Sequence, residues 1–366
     1  MAAYDLIVVG AGIVGAHCAS LAVARGRKVA IVESGLVGGG ATAASMGHLV
    51  AMDDDPAELA LSHYSLGLWE RYAELAEAEF SRCGTLWVAA DEAEMQALPA
   101  KIARLAAAGV HAEAVDAARL RQLEPALAGD LAGGMLVARE SVVYPPRIAH
   151  WLVDRSVAAG ASLYAGRRVL RLRDEAAELD DGEILHGPVL VAAGGASGEL
   201  LPELPMHVRR GHLVITDRHP GIVRHQLLEL GYADSAHGDD DVSVAFNVQP
   251  RPTGQLLIGS SRERDRTGRE VDLPVLRRML GRALRYLPAL RGLQAIRVWT
   301  GLRPCTRDGR PYIGAVSGRR GTWVAAGHEG LGVTTSTGTA HLLLDLIDGR
   351  PTAIDPAPFD PARVLA

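Results

Sequence analysis

Tyr4-Asp5-Leu6-Ile7-Val8-Val9-Gly10-Ala11-Gly12-Ile13-Val14-Gly15 sets a β-branched apolar run directly before three glycines spaced GxGxxG. A helical pattern follows from Ile13 to Arg25, and a second apolar run from Lys28 to Glu33 ends on an acid. Strand, glycine turn, helix and strand in that order predict a βαβ unit. In such a unit Gly10 permits the tight turn, Gly12 lets the backbone approach a pyrophosphate, and Gly15 lets helix and strand pack closely. The helix start offers unpaired N–H groups to an anion. Glu33, at the end of the second strand, is placed to accept ribose hydroxyls. These residues predict dinucleotide binding without deciding between FAD and NAD.

Working outward, Ser34 to Gly47 is dense in Gly, Ala, Ser and Thr and reads as a loop covering the cofactor. Asp55-Pro56 opens a helical pattern that runs to about Phe80, before a strand over Thr85 to Ala90. Tyr144-Pro145-Pro146 marks a re-entry, followed by a helix over Arg147 to Ala159, strands near Ser162 to Tyr164 and Arg167 to Arg173, and a buried strand over Pro188 to Ala193. Met206 to Trp299 is β-rich, with strands at His212 to Thr216, Val242 to Val248 and Leu256 to Gly259 and a helix at Leu273 to Tyr286. The chain then returns to strand, turn and helix over Gly301 to Gly349. This predicts a cofactor domain from 1–52, 141–205 and 301–366, and a substrate domain from 53–140 and 206–300.

Composition narrows the function classes. The formal charge of -5 comes without a long basic block, which argues against nucleic acid as a partner. Cys18, Cys83 and Cys305 are too few and too scattered for a disulfide framework or a CxxC site, so a reducing cytoplasm is expected and no metal is implied. The opening apolar run, Leu6 to Val9, is too short for a signal peptide or a membrane span. Peripheral contact with a quinone-bearing membrane stays open.

Two late segments separate FAD from NAD. Gly301-Leu302-Arg303-Pro304-Cys305-Thr306-Arg307-Asp308-Gly309-Arg310-Pro311-Tyr312-Ile313-Gly314 and Gly327-His328-Glu329-Gly330-Leu331-Gly332, with the opening GxGxxG, resemble the FAD-dependent D-amino-acid oxidase superfamily, in the branch of glycine oxidase, sarcosine oxidase and bacterial D-amino-acid dehydrogenases. The texture of 46–54, 258–263 and 327–332 looks most like bacterial D-hydroxyproline dehydrogenases. The resemblance implies an α/β Rossmann-like FAD-binding domain of the glutathione-reductase and p-hydroxybenzoate-hydroxylase type, with an α+β substrate domain built on a mainly antiparallel sheet.

The resemblance further implies that Arg303 grips the substrate carboxylate, which suits a planar guanidinium. It implies non-covalent FAD held by Gly10, Gly12, Ile13, Val14 and Gly15, by Glu33 and Ser34, by Ala41, Thr42, Ala43, Ser45, Met46 and Gly47, by Val169, Ala193 and Gly194, and by Gly301, Arg303, Gly330, Leu331, Gly332 and Val333. The amides of Gly330, Leu331 and Gly332 are expected at the flavin edge that becomes negative on reduction. His48, Phe246, Asn247, His328 and Glu329 join Arg303 as substrate contacts, with His48 also a candidate proton relay. Where glycine oxidases carry a tyrosine, this chain has Phe246 and Asn247, which leaves the substrate open. The expected reaction is oxidation of the amine carbon of a small amino or imino acid by hydride transfer to flavin N5, giving an imine, with oxygen, a quinone or an electron-transfer protein as acceptor. A 2-hydroxy-acid oxidoreductase and a flavin subunit of a multi-protein dehydrogenase are the alternatives. The sequence leaves oligomeric state open.

Overall fold

The computed structural model describes residues 3–52, 55–231 and 241–364; Asp53 and Asp54, part of the 46–54 segment used above, lie outside the described residues. The opening βαβ unit forms as expected: β1 (Leu6–Val9), α1 (Ile13–Ala24) and β2 (Val29–Glu33), the two strands parallel and in register at Val8 and Ile31. They sit in a six-stranded sheet ordered Tyr312–Ala315, Thr322–Ala326, Val189–Val191, β1, β2, Ser162–Ala165, parallel except for the Tyr312–Ala315 edge. Leu6 and Val8 bury toward a helical layer that includes α1, Pro145–Ala158 and Gly332–Asp348. Ile7 and Val9 bury on the opposite face, in a core shared with the small antiparallel sheet of Val169–Arg173, Ala176–Leu179 and Ile184–His186. A parallel sheet covered on both faces explains why β1 is an unbroken apolar run.

The second body is an eight-stranded sheet ordered Ala295–Thr306, Met206–Arg218, Gln255–Arg264, Val242–Pro250, Gln226–Glu229, Thr85–Ala89, Gly133–Val137, Glu113–Asp116. Every adjacent pair is antiparallel except Gln226–Glu229 with Thr85–Ala89. The amphipathic helix Leu273–Tyr286, capped by Asp272 on the N–H of Val275, packs on Val242–Pro250 and Gln255–Arg264. The boundary expected at 300/301 falls inside the strand Ala295–Thr306, which starts in this sheet and carries the chain to the cofactor side.

One helix is shorter than its pattern predicts. Pro56–Trp69 begins on an Asp55 cap but stops at Trp69, and two short 3-10 turns, Glu70–Tyr72 and Ala76–Ala78, replace the expected continuation to Phe80. Tertiary contacts override the helix propensity of this stretch. Trp69 donates its indole N–H to the carbonyl of Thr334 at 2.9 Å, and His17, Tyr72 and Trp151 complete an edge-to-face aromatic cluster around it. Among the described residues no helix is long and apolar enough to cross a membrane.

Candidate active site

A cleft of about 810 Å³ runs from the β1–α1 turn to the start of the Gly332–Asp348 helix. Its size lies within the roughly 300–1,000 Å³ range of cofactor pockets. At the turn, Gly10 has φ +104°, and a Cβ there would stand 2.4 Å from the Ala192 carbonyl oxygen. A Cβ on Gly15 would meet the Gly10 carbonyl oxygen at 2.0 Å. Gly15 therefore lets the helix close onto the turn and does not itself line the cleft, which corrects its placement as a cofactor contact. Gly12, Ile13 and Val14 do line it, although the N–H of Ile13 is already bonded to Thr42 Oγ1 at 3.0 Å. Thr42 thus ties the covering loop to the helix start.

Glu33 lines the cleft beside Ser34, and its carboxylate accepts the N–H of Ala11 at 2.8 Å and of Gly35 at 2.7 Å. Two amides fix this carboxylate and leave it acceptor capacity for a further donor. Ala41, Ser45, Val169, Ala193 and Gly194 complete that end, and His328, Glu329, Gly330, Gly332 and Val333 form the other. Long, glycine-lined, and starting at a helix N-terminus, the cleft fits an extended dinucleotide such as FAD.

A smaller cavity of about 100 Å³ opens beside it, and both are lined by Ala41, Ser45, Leu302, Glu329, Gly330 and Val333. Met46, Gly47, His48, Asn247, Gly301 and Arg303 line the smaller one. Arg303 donates from Nη1 to the Ser261 carbonyl at 2.9 Å. Its guanidinium lies over Gly211, where a Cβ would come within 2.3 Å of Nη1. Gly211 therefore reserves the volume that the guanidinium fills, a role that its unremarkable sequence context did not signal. Asn247 is buried, and its Oδ1 has no hydrogen-bond partner among the described residues.

Three expected contacts lie elsewhere. Phe246 is fully buried and stacks on Tyr286 at 4.5 Å, in the core beneath Leu273–Tyr286. Successive strand side chains point to opposite faces, so Asn247 facing the cavity turns Phe246 away from it. Phe246→Ala is expected to lower unfolding stability by about 3–5 kcal/mol in a urea titration, while the protein that remains folded keeps its substrate affinity. Ala43 is exposed and lines neither cavity. Leu331 packs into an apolar cluster and spends its N–H on the His328 carbonyl at 3.0 Å, so its amide does not join those of Gly330 and Gly332 as expected.

Arg262 is a site residue without a distinguishing sequence signal. It lines the small cavity and donates from Nε to Glu329 Oε1 at 2.8 Å; Arg209 Nη1 reaches the same oxygen at 3.3 Å. Glu329, at φ +46°, is thus held between two guanidinium groups at the junction of the cavities. Cys305 is buried and lines neither cavity, and burial pushes its thiol up to about 12.

Burial lowers His48 and His328 to about 4 and His17 to about 3, so all three are neutral at pH 7. His328 is fixed by Nε2 against Thr339 Oγ1 at 3.1 Å, which makes it a packed residue at the cleft wall. These depressed values make stability fully present above the unfolded histidine value near 6.5 and lost as pH falls toward about 4. Each group adds a slope of up to about 1.4 kcal/mol per pH unit. The urea midpoint should be clearly lower at pH 5 than at pH 7, and His328→Gln should narrow the gap. Equal midpoints at both pH values would contradict this.

Known proteins with similar sequences and structures agree with this geometry. Glycine oxidase from Geobacillus kaustophilus is 27% identical over 98% of this chain and 97% of its own length. Its crystal structure superposes with a TM-score of 0.88 over 99% of both chains. A D-amino acid dehydrogenase from Rhizorhabdus wittichii is 30% identical over 74% of this chain and 65% of its own length. L-proline dehydrogenase from P. horikoshii, at 20% identity and a TM-score of 0.89, shares the fold. Residues 5–346 match the family described as FAD dependent oxidoreductase, DAO, and with the nucleotide cleft and the adjoining arginine-lined cavity in place, the chain belongs to that family.

Proposed function

We propose that this FAD-dependent oxidoreductase oxidises the carbon–nitrogen bond of a small amino or imino acid, with D-proline and D-hydroxyproline favoured and glycine or sarcosine as smaller candidates. One observation carries the reading: a guanidinium, Arg303, lines a cavity of only about 100 Å³ that adjoins the cofactor cleft. A bidentate grip on a carboxylate would fix the α-carbon relative to that cleft. Bound FAD, held without a covalent bond, supplies the two-electron acceptor. Arg262 and Arg209 both reach the one carboxylate of Glu329, and His48 is neutral, so the cations around the cavity outnumber the anions. That balance favours an anionic substrate, a carboxylate with its amine uncharged, over a zwitterion. Asn247 Oδ1, buried without a partner among the described residues, would accept an N–H from the amine.

The division into 1–52, 141–205 and 301–366 around the cofactor and 53–140 and 206–300 around the substrate belongs to the same reading, as does a cytoplasmic location. The test is an anaerobic screen for loss of flavin absorbance with D-proline, D-hydroxyproline, glycine, sarcosine and 2-hydroxyglutarate, followed by air. Bleaching by an amino or imino acid supports the proposal. Bleaching by the hydroxy acid alone would replace it with 2-hydroxy-acid oxidation, and colour returning in air would identify oxygen as an acceptor. Purified chain that reduces its flavin alone argues against an obligatory partner subunit.

A further inference from the structure

Gln249 lies on the same face of the strand Val242–Pro250 as Asn247, two residues on. It is fully buried and donates from Nε2 to the Met46 carbonyl at 2.7 Å. A carbonyl oxygen can only accept, so the amide end facing it is the nitrogen, and Oε1 is left as an acceptor pointing elsewhere. Oε1 is shut off from solvent and has no hydrogen-bond partner among the described residues. The same holds for Nε2 of His48, two residues along the chain from Met46. His48 is held from its backbone as well: its carbonyl accepts from Thr334 Oγ1 at 2.9 Å, and it pairs with Val142 across a short antiparallel bridge. His48 lines the small cavity and its Nε2 is shut off from solvent, so Nδ1 is the ring nitrogen available to the cavity.

We propose that Gln249 is a positioning residue that holds His48 as the Nε2–H tautomer, so that Nδ1 presents a lone pair to the cavity and accepts an N–H of the substrate amine. The inference rests on the amino- or imino-acid reading above. An interaction of Gln249 with the imidazole that favours its protonated form, and burial that keeps the ring neutral, agree with it. A histidine whose second nitrogen is fixed by a hydrogen bond presents one defined acceptor, where a free ring would divide between two tautomers. The pair Asn247 Oδ1 and His48 Nδ1 would then give the cavity two acceptors for one amine. Arg303 on the carboxylate and two acceptors on the nitrogen define the orientation of the carbon between them.

The test reads the tautomer directly. Long-range nitrogen-15 NMR of the holoenzyme, with the His48 signals identified by their loss in His48→Ala, is expected at neutral pH to show a pyrrole-type Nε2 and a pyridine-type Nδ1. The opposite tautomer, an exchanging mixture or an imidazolium would overturn the proposal. In Gln249→Leu the His48 signals should move to a mixture, and the limiting rate of anaerobic flavin reduction should fall about ten-fold, a fraction of the roughly 10²-fold or greater effect of removing an acid–base group. Substrate affinity set by Arg303 should change by less. Unchanged His48 signals and rate in Gln249→Leu would overturn it, and misfolding of that variant leaves the wild-type spectrum as a sufficient test. If no amino or imino acid reduces the wild-type flavin, the functional reading and the amine role fall together, and the tautomer is decided separately by the spectrum.

Discussion

Arg303→Ala is expected to lower kcat/KM for the amino or imino acid by about 10²–10³-fold while leaving the yellow holoenzyme intact. Removing one partner of a buried charge-assisted pair costs about 2–5 kcal/mol, and each 1.4 kcal/mol is a factor of about ten. Arg303 lines the small cavity and not the nucleotide end of the cleft, so FAD content and absorbance should be preserved. Arg303→Lys should recover little, because an ammonium cannot reproduce the two parallel N–H donors and cannot span both Ser261 and a carboxylate in the same way. The measurement is stopped-flow flavin reduction over a substrate series. Affinity and limiting rate within about three-fold of wild type would remove Arg303 from the substrate site.

Gly10→Ala is expected to yield a destabilised protein that purifies with little or no FAD. With φ at +104°, a non-glycine residue there carries strain of about 1–3 kcal/mol, and the new methyl would stand 2.4 Å from the Ala192 carbonyl oxygen. Backbone atoms cannot turn aside as a flexible side chain can, so overpacking adds about 1–3 kcal/mol. The turn must open, and with it the N–H groups that face the cleft. Gly40→Ala is the control, since it also lines the cleft but a Cβ there meets nothing within 4 Å. Flavin-to-protein absorbance ratios and thermal melts of the two variants should differ widely, and matching ratios would refute this account of the turn.

The nucleotide half was legible because its signals are local. β1, the glycine turn and α1 occupy consecutive residues, and Gly15 answers a contact with Gly10 inside the unit, while Gly10 answers Ala192 and Gly12 answers Thr42. The helix Leu273–Tyr286 was legible for the same reason, with its Asp272 cap and strong amphipathicity. Arg303 was found through its motif. What stayed hidden depends on partners far along the chain. Phe246 and Asn247 are neighbours, and only the assembled sheet says which of them faces the cavity. Arg262 acquires its place through Glu329, 67 residues away. The helix over Pro56–Trp69 ends where Trp69 meets the C-terminal helix, a contact that no periodicity in 55–80 announces. Leu331 looked like one amide of three, but a turn bond to His328 had already claimed it.

The strand Ala295–Thr306 has Pro304 on the larger cleft, Gly301 and Arg303 on the smaller cavity, and Leu302 on both. On the proposed reading, neighbouring residues of one rigid ribbon would serve two ligands, and the offset between them is set by a covalent step of about 3.4 Å per residue. Such a ruler cannot be lengthened by loop breathing or by remodelling a lid. Variants that accept bulkier or differently shaped substrates should thus arise on the opposite wall, around Asn247 and His48, with the anchor point for the carboxylate unmoved.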